Sequence, residues 1–492
     1  MTKFIIQFNN VIILSKKTIL KILQISDSNV LDITVIGIST DSRNIQKDNL
    51  FVPLKGDNFD GHKYIISVFE KGASFSLCNK IYFDQNIELE TFKDRLIIVE
   101  DTKDAYFKIM SYWRNQFPQI KCIGIGGTVG KTTTKEFIRR ICEEDGETVY
   151  TKENLNTPLG MCIAVSELTT TTKYLVCEMG TDSFGEITQE AEIVKPDIGV
   201  CLSVGATHAS LLGGSIDGVA KAESELVQYF SKSGTILLNH DDKYVYAMKD
   251  LVDQNKGHII TFGKKDTDTY LEDYSMGTQN LSGMNVNINI LKNIEVPTYG
   301  EGNIYNIMAS VTIAKELNIT EDKIRSGIKN YIPVKGRLNH FKIRDNITIQ
   351  DDAYNASPQS MKQSIEVFTK LSQDNFKILV LGDMRELGEE ASNAHKELVE
   401  LIREAKPNIL VYVGDFREYI RESLKEDIKE IYTFPNIDTK DAHKIINREE
   451  VDKIYYRVKE YFKPNSWVLF KASLGTGVWK LVEKVRENKV LT

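Results

Sequence analysis

Only 10 of the 492 residues are proline, and no tract is given over to one or two residue types, so composition keeps no long segment from folding. The six cysteines, Cys78, Cys122, Cys142, Cys162, Cys177 and Cys201, contain no C-x-x-C pair. That excludes the usual spacing of a zinc cluster, and cysteines in apolar runs read as buried, reduced thiols. No apolar run is long enough to cross a membrane, and the N-terminal segment breaks its short apolar runs with polar residues, so neither a signal peptide nor membrane insertion is expected. Basic charge is in deficit too. With 62 lysines and arginines against 69 acidic residues the net charge is -7, which argues against a general affinity for nucleic-acid backbones. A cytoplasmic, globular protein is left, and its length favours roughly two to four domains over a single core.

Periodicity divides the chain. Up to residue 100, short apolar runs such as DNLFVPLKG (48–56) and DRLIIVED (94–101) alternate with polar turns, as in a small α/β domain. Residues 104–117 then place apolar side chains at helical spacing and lead into a second block, 101–333. There KCIGIGG, TTTKEFIRRICEE, YLVCEMG, IGVCLSV and GTILLNHDD alternate strand and helix patterns. The expectation is a mainly parallel sheet with active groups at the carboxyl ends of its strands. A third α/β series, 334–492, follows, with strands in FKILVLGDM, NILVYVG and SWVLFKAS. No period marks internal repeats.

The segment 124–137, GIGGTVGKTTTKEF, lies between an apolar strand and a helical pattern, which is the setting of a phosphate loop. Its glycines let backbone amides turn inward, and the helix N-terminus adds partial positive charge. Lys131 is placed to reach the outer phosphates and Thr132 to hold magnesium. Ile125 breaks the longer GxxxxGK[ST] pattern, but Gly127, Thr128, Val129, Gly130, Lys131, Thr132 and Thr133 keep the shorter one intact. A phosphate loop implies nucleotide binding and nothing finer. Glu178 ends the apolar run YLVCE, where a carboxylate can hold magnesium or cap the next helix. His208 follows the next strand in the same way; an isolated histidine is more often structural than a ligand.

Eight segments in order resemble the Mur ligases, enzymes that extend the peptide of a UDP-linked cell-wall precursor. They are residues 39–65, 126–136, 154–160, 177–187, 300–310, 335–338, 351–361 and 381–390. The last two are most similar to the branch that adds D-alanyl-D-alanine. The resemblance implies three α/β domains: an N-terminal uridine-nucleotide-binding domain, a central phosphate-loop ATPase domain and a C-terminal Rossmann-like domain. It implies ATP and Mg2+ as cofactors, and a UDP-muramoyl tripeptide and D-alanyl-D-alanine as substrates of a monomer. By matched position, Lys131 would stabilise the transferring phosphoryl group, Thr132 and Glu178 would bind one magnesium, and His208 would serve a second. Asn303 would contact adenine, Arg337 the γ-phosphate and Asp352 the ribose. Asn154 and Asn156 would face the precursor; Ser42, Arg43, Gly56 and Asp57 would lie near the uridine nucleotide; Tyr354, Asn355 and Lys471 would line the substrate side.

Two departures stand out. Where the family has a carbamylated lysine this chain has Glu223, and Lys221, two residues earlier, is turned by about 200° on a helix and cannot substitute. Glu223 offers a carboxylate on a chain about 3 to 4 Å shorter, and is expected to replace the carbamate at the second magnesium through water or a shifted backbone. In KASLGTGVW, Ala472 and Leu474 replace a glycine and an arginine of the family pattern, and leucine cannot give bidentate carboxylate recognition. Two alternatives therefore stay open: a Mur-like ligase for another amine acceptor, and a weakened nucleotide-binding homologue.

Overall fold

The computed structural model describes residues 12–26, 33–153, 155–277, 281–437 and 448–490. Their contacts fall into two compact units. One takes in the described residues up to Gly124 with Gly146–Met179 and Glu186–Asp197; the other takes in Ile125–Asp145, Gly180–Gly185 and the described residues from Ile198 onward.

In the first unit a four-stranded parallel sheet runs in the order Ile38–Ser39, Leu50–Phe51, Phe75–Asn79 and Leu96–Val99. Phe51, Ile65, Val68, Phe69, Cys78 and Leu96 close its core. The helix expected at 104–117 spans Thr102–Arg114. It starts earlier because the Asp101 side chain accepts the Asp104 N–H at 2.8 Å. It ends earlier because Pro118 disfavours a helical Phe117. The same unit holds the parallel pair Thr148–Tyr150 and Tyr174–Glu178.

The second unit carries the parallel strands Ile198–Cys201, Gly234–Asn239, Gly257–Gly263 and the start of Thr269–Gly277. Beyond them Thr269–Gly277, Gly283–Ile288 and Leu291–Val296 pair antiparallel. The mainly parallel expectation thus holds for one side of a mixed sheet. The last hairpin is joined by the two residues Asn289 and Ile290, too few for a crossover helix. A six-stranded sheet follows, in the order Asn339–Lys342, Thr348–Asp352, Trp467–Lys471, Lys377–Gly382, Ile409–Val413 and Glu430–Phe434. It is parallel except at its first pair, and three of its four inner strands, Trp467–Lys471, Lys377–Gly382 and Ile409–Val413, are nearly wholly buried, as their unbroken apolar runs foretell.

Candidate nucleotide and ligase site

The phosphate loop closes around two glycines in the left-handed region, Gly127 at φ 117° and Gly130 at φ 95°. A Cβ on Gly127 would lie 2.9 Å from the Ser203 nitrogen, so no other residue fits without moving backbone. Ser203, just past the strand Ile198–Cys201, braces the turn. Its carbonyl accepts the Thr128 N–H at 2.8 Å and its hydroxyl accepts the Val129 N–H at 3.1 Å. The helix Lys131–Glu143 starts at Gly130 with no side-chain cap, leaving its amide end to meet an anion. Lys131 folds back to donate to the Gly127 carbonyl at 2.5 Å.

Glu223 sits under this loop. It projects from the helix Ile216–Tyr229, is 3% exposed, and accepts the Gly127 N–H at 2.7 Å. Burial raises the pKa of its carboxyl, while the Lys131 charge and the Gly127 hydrogen bond pull the other way. Lys221 points elsewhere, its ammonium 5.2 Å from the centre of the Phe184 ring, as the two-residue offset requires. His208, in a left-handed backbone position at φ 63°, sets Nδ1 2.9 Å from Glu386 and 3.3 Å from Asp182. The His208 imidazole beside it holds the Glu386 carboxyl below the usual range. Among the described residues no group of three or more His, Cys, Asp or Glu side chains is arranged to hold a metal ion.

A cavity of about 270 Å³ opens from the loop, with Val129, Gly130 and Thr133 at that end. Asn303 lines it from the helix Glu301–Glu316, with Nδ2 donating to the Tyr299 carbonyl at 2.7 Å and Oδ1 accepting from Asn306 at 2.9 Å. Arg337, Asp352 and Lys471 line it from the C-terminal sheet and the segment leading into it. Arg337 lies over the Tyr354 ring at 4.5 Å. Asp352 accepts the Leu338 N–H at 3.0 Å and pairs with Lys471 at 2.8 Å, both carboxylate and ammonium being buried. Lys471 also donates to the Asn355 carbonyl at 2.9 Å. Burial lowers the pKa of Lys471, against the pull of Asp352.

The remaining expected residues lie in the first unit. Glu178 ends its strand at 5% exposure, its backbone N–H bonded to the Thr151 hydroxyl at 2.9 Å. Asn156 is half-buried ahead of the helix Pro158–Ser166, and Asn154 lies outside the described residues. Ser42 and Arg43 follow one strand, Gly56 and Asp57 follow its parallel neighbour, so both loops leave the same edge of the sheet. Arg43 is tied back to Asp41 by two parallel bonds of 2.9 and 2.8 Å, which bring the Asp41 carboxyl down to about 2.

Sequence reading missed Ser203, Asn306, Gln363 and Arg385. Asn306 stands three residues beyond Asn303, and Ser203 directly follows an apolar strand run; both signals were present. The Arg385 guanidinium lies against Gly475, where a Cβ would meet Nη1 at 2.4 Å, beside the exposed Leu474. Only the fold brings those two segments together.

Three family models match the chain: Mur ligase family, catalytic domain, over residues 34–114; Mur ligase middle domain over 125–314; and Mur ligase, glutamate ligase domain, over 336–474. The UDP-N-acetylmuramoyl-tripeptide--D-alanyl-D-alanine ligase of Bacillus subtilis (strain 168) is 29% identical over 92% of this chain and 94% of its own length. The Synechocystis sp. (strain ATCC 27184 / PCC 6803 / Kazusa) protein of the same description is 30% identical over 75% and 76%. A crystal structure of MurF from Acinetobacter baumannii superposes with a TM-score of 0.81 at 24% identity, covering 97% of this chain and all of that one (100%).

Proposed function

This chain belongs to the Mur ligase family, and from that premise we propose that it is an ATP-dependent ligase that joins D-alanyl-D-alanine to the terminal carboxylate of a UDP-N-acetylmuramoyl tripeptide during peptidoglycan precursor synthesis. The observation that carries the reading is the phosphate loop at the mouth of the cavity formed with Arg337, Asp352 and Lys471. A carboxylate is a poor electrophile; transfer of the terminal phosphoryl group of ATP makes an acyl phosphate, which the acceptor amine attacks to release phosphate. The chain's part is alignment and charge stabilisation. Both glycine positions exclude side chains and the helix end is uncapped, which fits a triphosphate. Lys131 and Arg337 supply positive charge toward its end, and Asn303 and Asp352 belong to the nucleoside side. Magnesium, when bound, neutralises phosphate charge; the Thr132 hydroxyl and the Glu178 carboxylate offer the hard oxygens it prefers, and His208 is the candidate for a second ion.

Ser42, Arg43, Gly56, Asp57, Asn154 and Asn156 are proposed for the UDP-precursor, and Tyr354, Asn355 and Lys471 for the acceptor side. We set the domains at 1–100, 101–333 and 334–492 and propose a cytoplasmic monomer, since one chain supplies every residue named here. No helix among the described residues is long and apolar enough to cross a membrane. Incubation with ATP, UDP-muramoyl tripeptide and D-alanyl-D-alanine is expected to give a product heavier than the tripeptide substrate by the dipeptide less one water. If a panel of other amines is coupled and this dipeptide is not, the acceptor assignment is wrong.

Glu223 admits a sharper test. Its bond to Gly127 supports a brace for the loop, a task for an acceptor oxygen that glutamine also provides. Glu223→Gln is therefore expected to keep activity within about tenfold, Glu223→Ala to lose roughly a hundredfold, and neither the parent nor the Gln variant to respond to added bicarbonate. A hundredfold loss in the Gln variant, measured as phosphate release, would return Glu223 to the magnesium role, where the negative charge is needed.

A further inference from the structure

The cavity has a phosphate end and a far end. Asn306 marks the first, for a Cβ on Gly130 would meet its Oδ1 at 2.5 Å. Gly302 stands four residues earlier on the same helix, about 6 Å along its axis, and lines the cavity away from the loop. A nucleotide with its phosphates on the loop would carry its base toward that end.

Gln363 reaches the same place from the helix Pro358–Ser372. Its carboxamide lies against bare glycine backbone. A Cβ on Gly302 would come within 2.5 Å of Oε1 and 2.8 Å of Nε2, and a Cβ on Gly300 within 2.7 Å of Nε2. Side chains at those two positions would drive the amide away. Among the other cavity carboxamides, Asn239 donates to the Leu202 carbonyl at 2.8 Å, Asn306 to Asn303, and Asn303 to Tyr299, while Gln359, one turn before Gln363, is exposed. Gln363 is half-buried, and no hydrogen bond or ion pair joins its side chain to another described residue.

We infer that Gln363 reads the nucleobase: its carboxamide, seated on Gly300 and Gly302, makes a paired contact with the amine and the adjacent ring nitrogen of adenine. One acceptor oxygen and one donor nitrogen side by side match the N6 amine and N7 of that base. Hypoxanthine carries an oxygen in place of the amine, so the same pose sets two acceptors before the amide and loses half the contact. The inference rests on the ATP-dependent reading given above.

The test compares ATP with ITP, by KM for phosphate release and by equilibrium binding to the full chain. The parent enzyme is expected to prefer ATP about tenfold, a typical value for one paired contact. Gln363→Ala should raise KM for ATP by roughly that factor, barely change it for ITP, and leave KM for the dipeptide unaltered. Gly302→Ala, which pushes the amide aside, should erode the same preference from the opposite wall. Gln363→Glu keeps the volume but loses the donor, and should behave like the alanine variant if that one folds poorly. A preference for ATP over ITP that survives in Gln363→Ala or Gln363→Glu overturns the inference while the ligase reading stands. A parent enzyme that binds neither nucleotide overturns both.

Discussion

Replacing Lys131 by methionine is expected to lower kcat by about a thousandfold, the upper range for losing one electrostatic donor from a preorganised site, while nucleotide affinity falls far less. The asymmetry follows from the loop. Its amides are oriented by Ser203 and Glu223, contacts that methionine does not touch, so the ground-state cradle survives. What goes is the one ammonium in the turn, which in this structure rests on the Gly127 carbonyl and must swing outward to meet a phosphoryl group. Single-turnover phosphate release set against equilibrium ATP binding separates the two quantities. Equal losses in both would mean that Lys131 binds ATP uniformly and takes no special part in the transfer. A second signature comes from below the loop. Lys131 is the largest influence lowering the pKa of buried Glu223, so the methionine variant should raise it further. A carboxyl whose folded pKa lies above its unfolded value binds more protons in the folded state, so this part of stability declines as pH rises through the window above 4.5. The thermal midpoint of the variant should accordingly fall more steeply with pH than that of the parent.

The sequence made the phosphate loop legible because its chemistry is local. Glycines, lysine, threonine and the strand before them occupy one short segment, and the structure returns them with Gly127 and Gly130 in the required left-handed conformation. The C-terminal strands were legible for a related reason: Val380, Val411 and Phe470 lie in unbroken apolar runs that only a sheet covered on both faces needs. The antiparallel hairpin at Gly283–Ile288 was overlooked although its signal was there. Met284, Val286 and Ile288 alternate with asparagines and are the buried set. Other features belong to no segment. Glu223 is 96 residues from the amide it holds, and its partner could not be read from a helix pattern that says only that it faces inward. The acids beside His208 are Asp182 and Glu386, one of them from the third α/β series, which no local pattern pairs with it. Gln363 acquires meaning only because two glycines from another helix lie beneath it.

The pair formed by Asp352 and Lys471 should dominate the stability of the C-terminal sheet. The two residues stand opposite each other on the paired strands Thr348–Asp352 and Trp467–Lys471, with Lys471 1% and Asp352 7% exposed. Asp352→Ala strands a buried ammonium, and breaking such a pair from one side costs about 3 to 5 kcal/mol. Lys471, already lowered from its ordinary 10.5 by burial, would fall further without its partner. A lysine with a depressed folded pKa binds fewer protons folded than unfolded, so stability must climb with pH through the window that ends near 10.5. Denaturation of Asp352→Ala should therefore show a large deficit at neutral pH that shrinks as the solution becomes alkaline. Adding Lys471→Met removes the stranded charge and should restore most of the lost stability at neutral pH, without restoring ligation, because both cavity-lining groups are then gone. A deficit in the single variant that ignores pH, or a double variant no more stable than the single, would show that the pair holds the strands through packing and hydrogen bonds instead of charge.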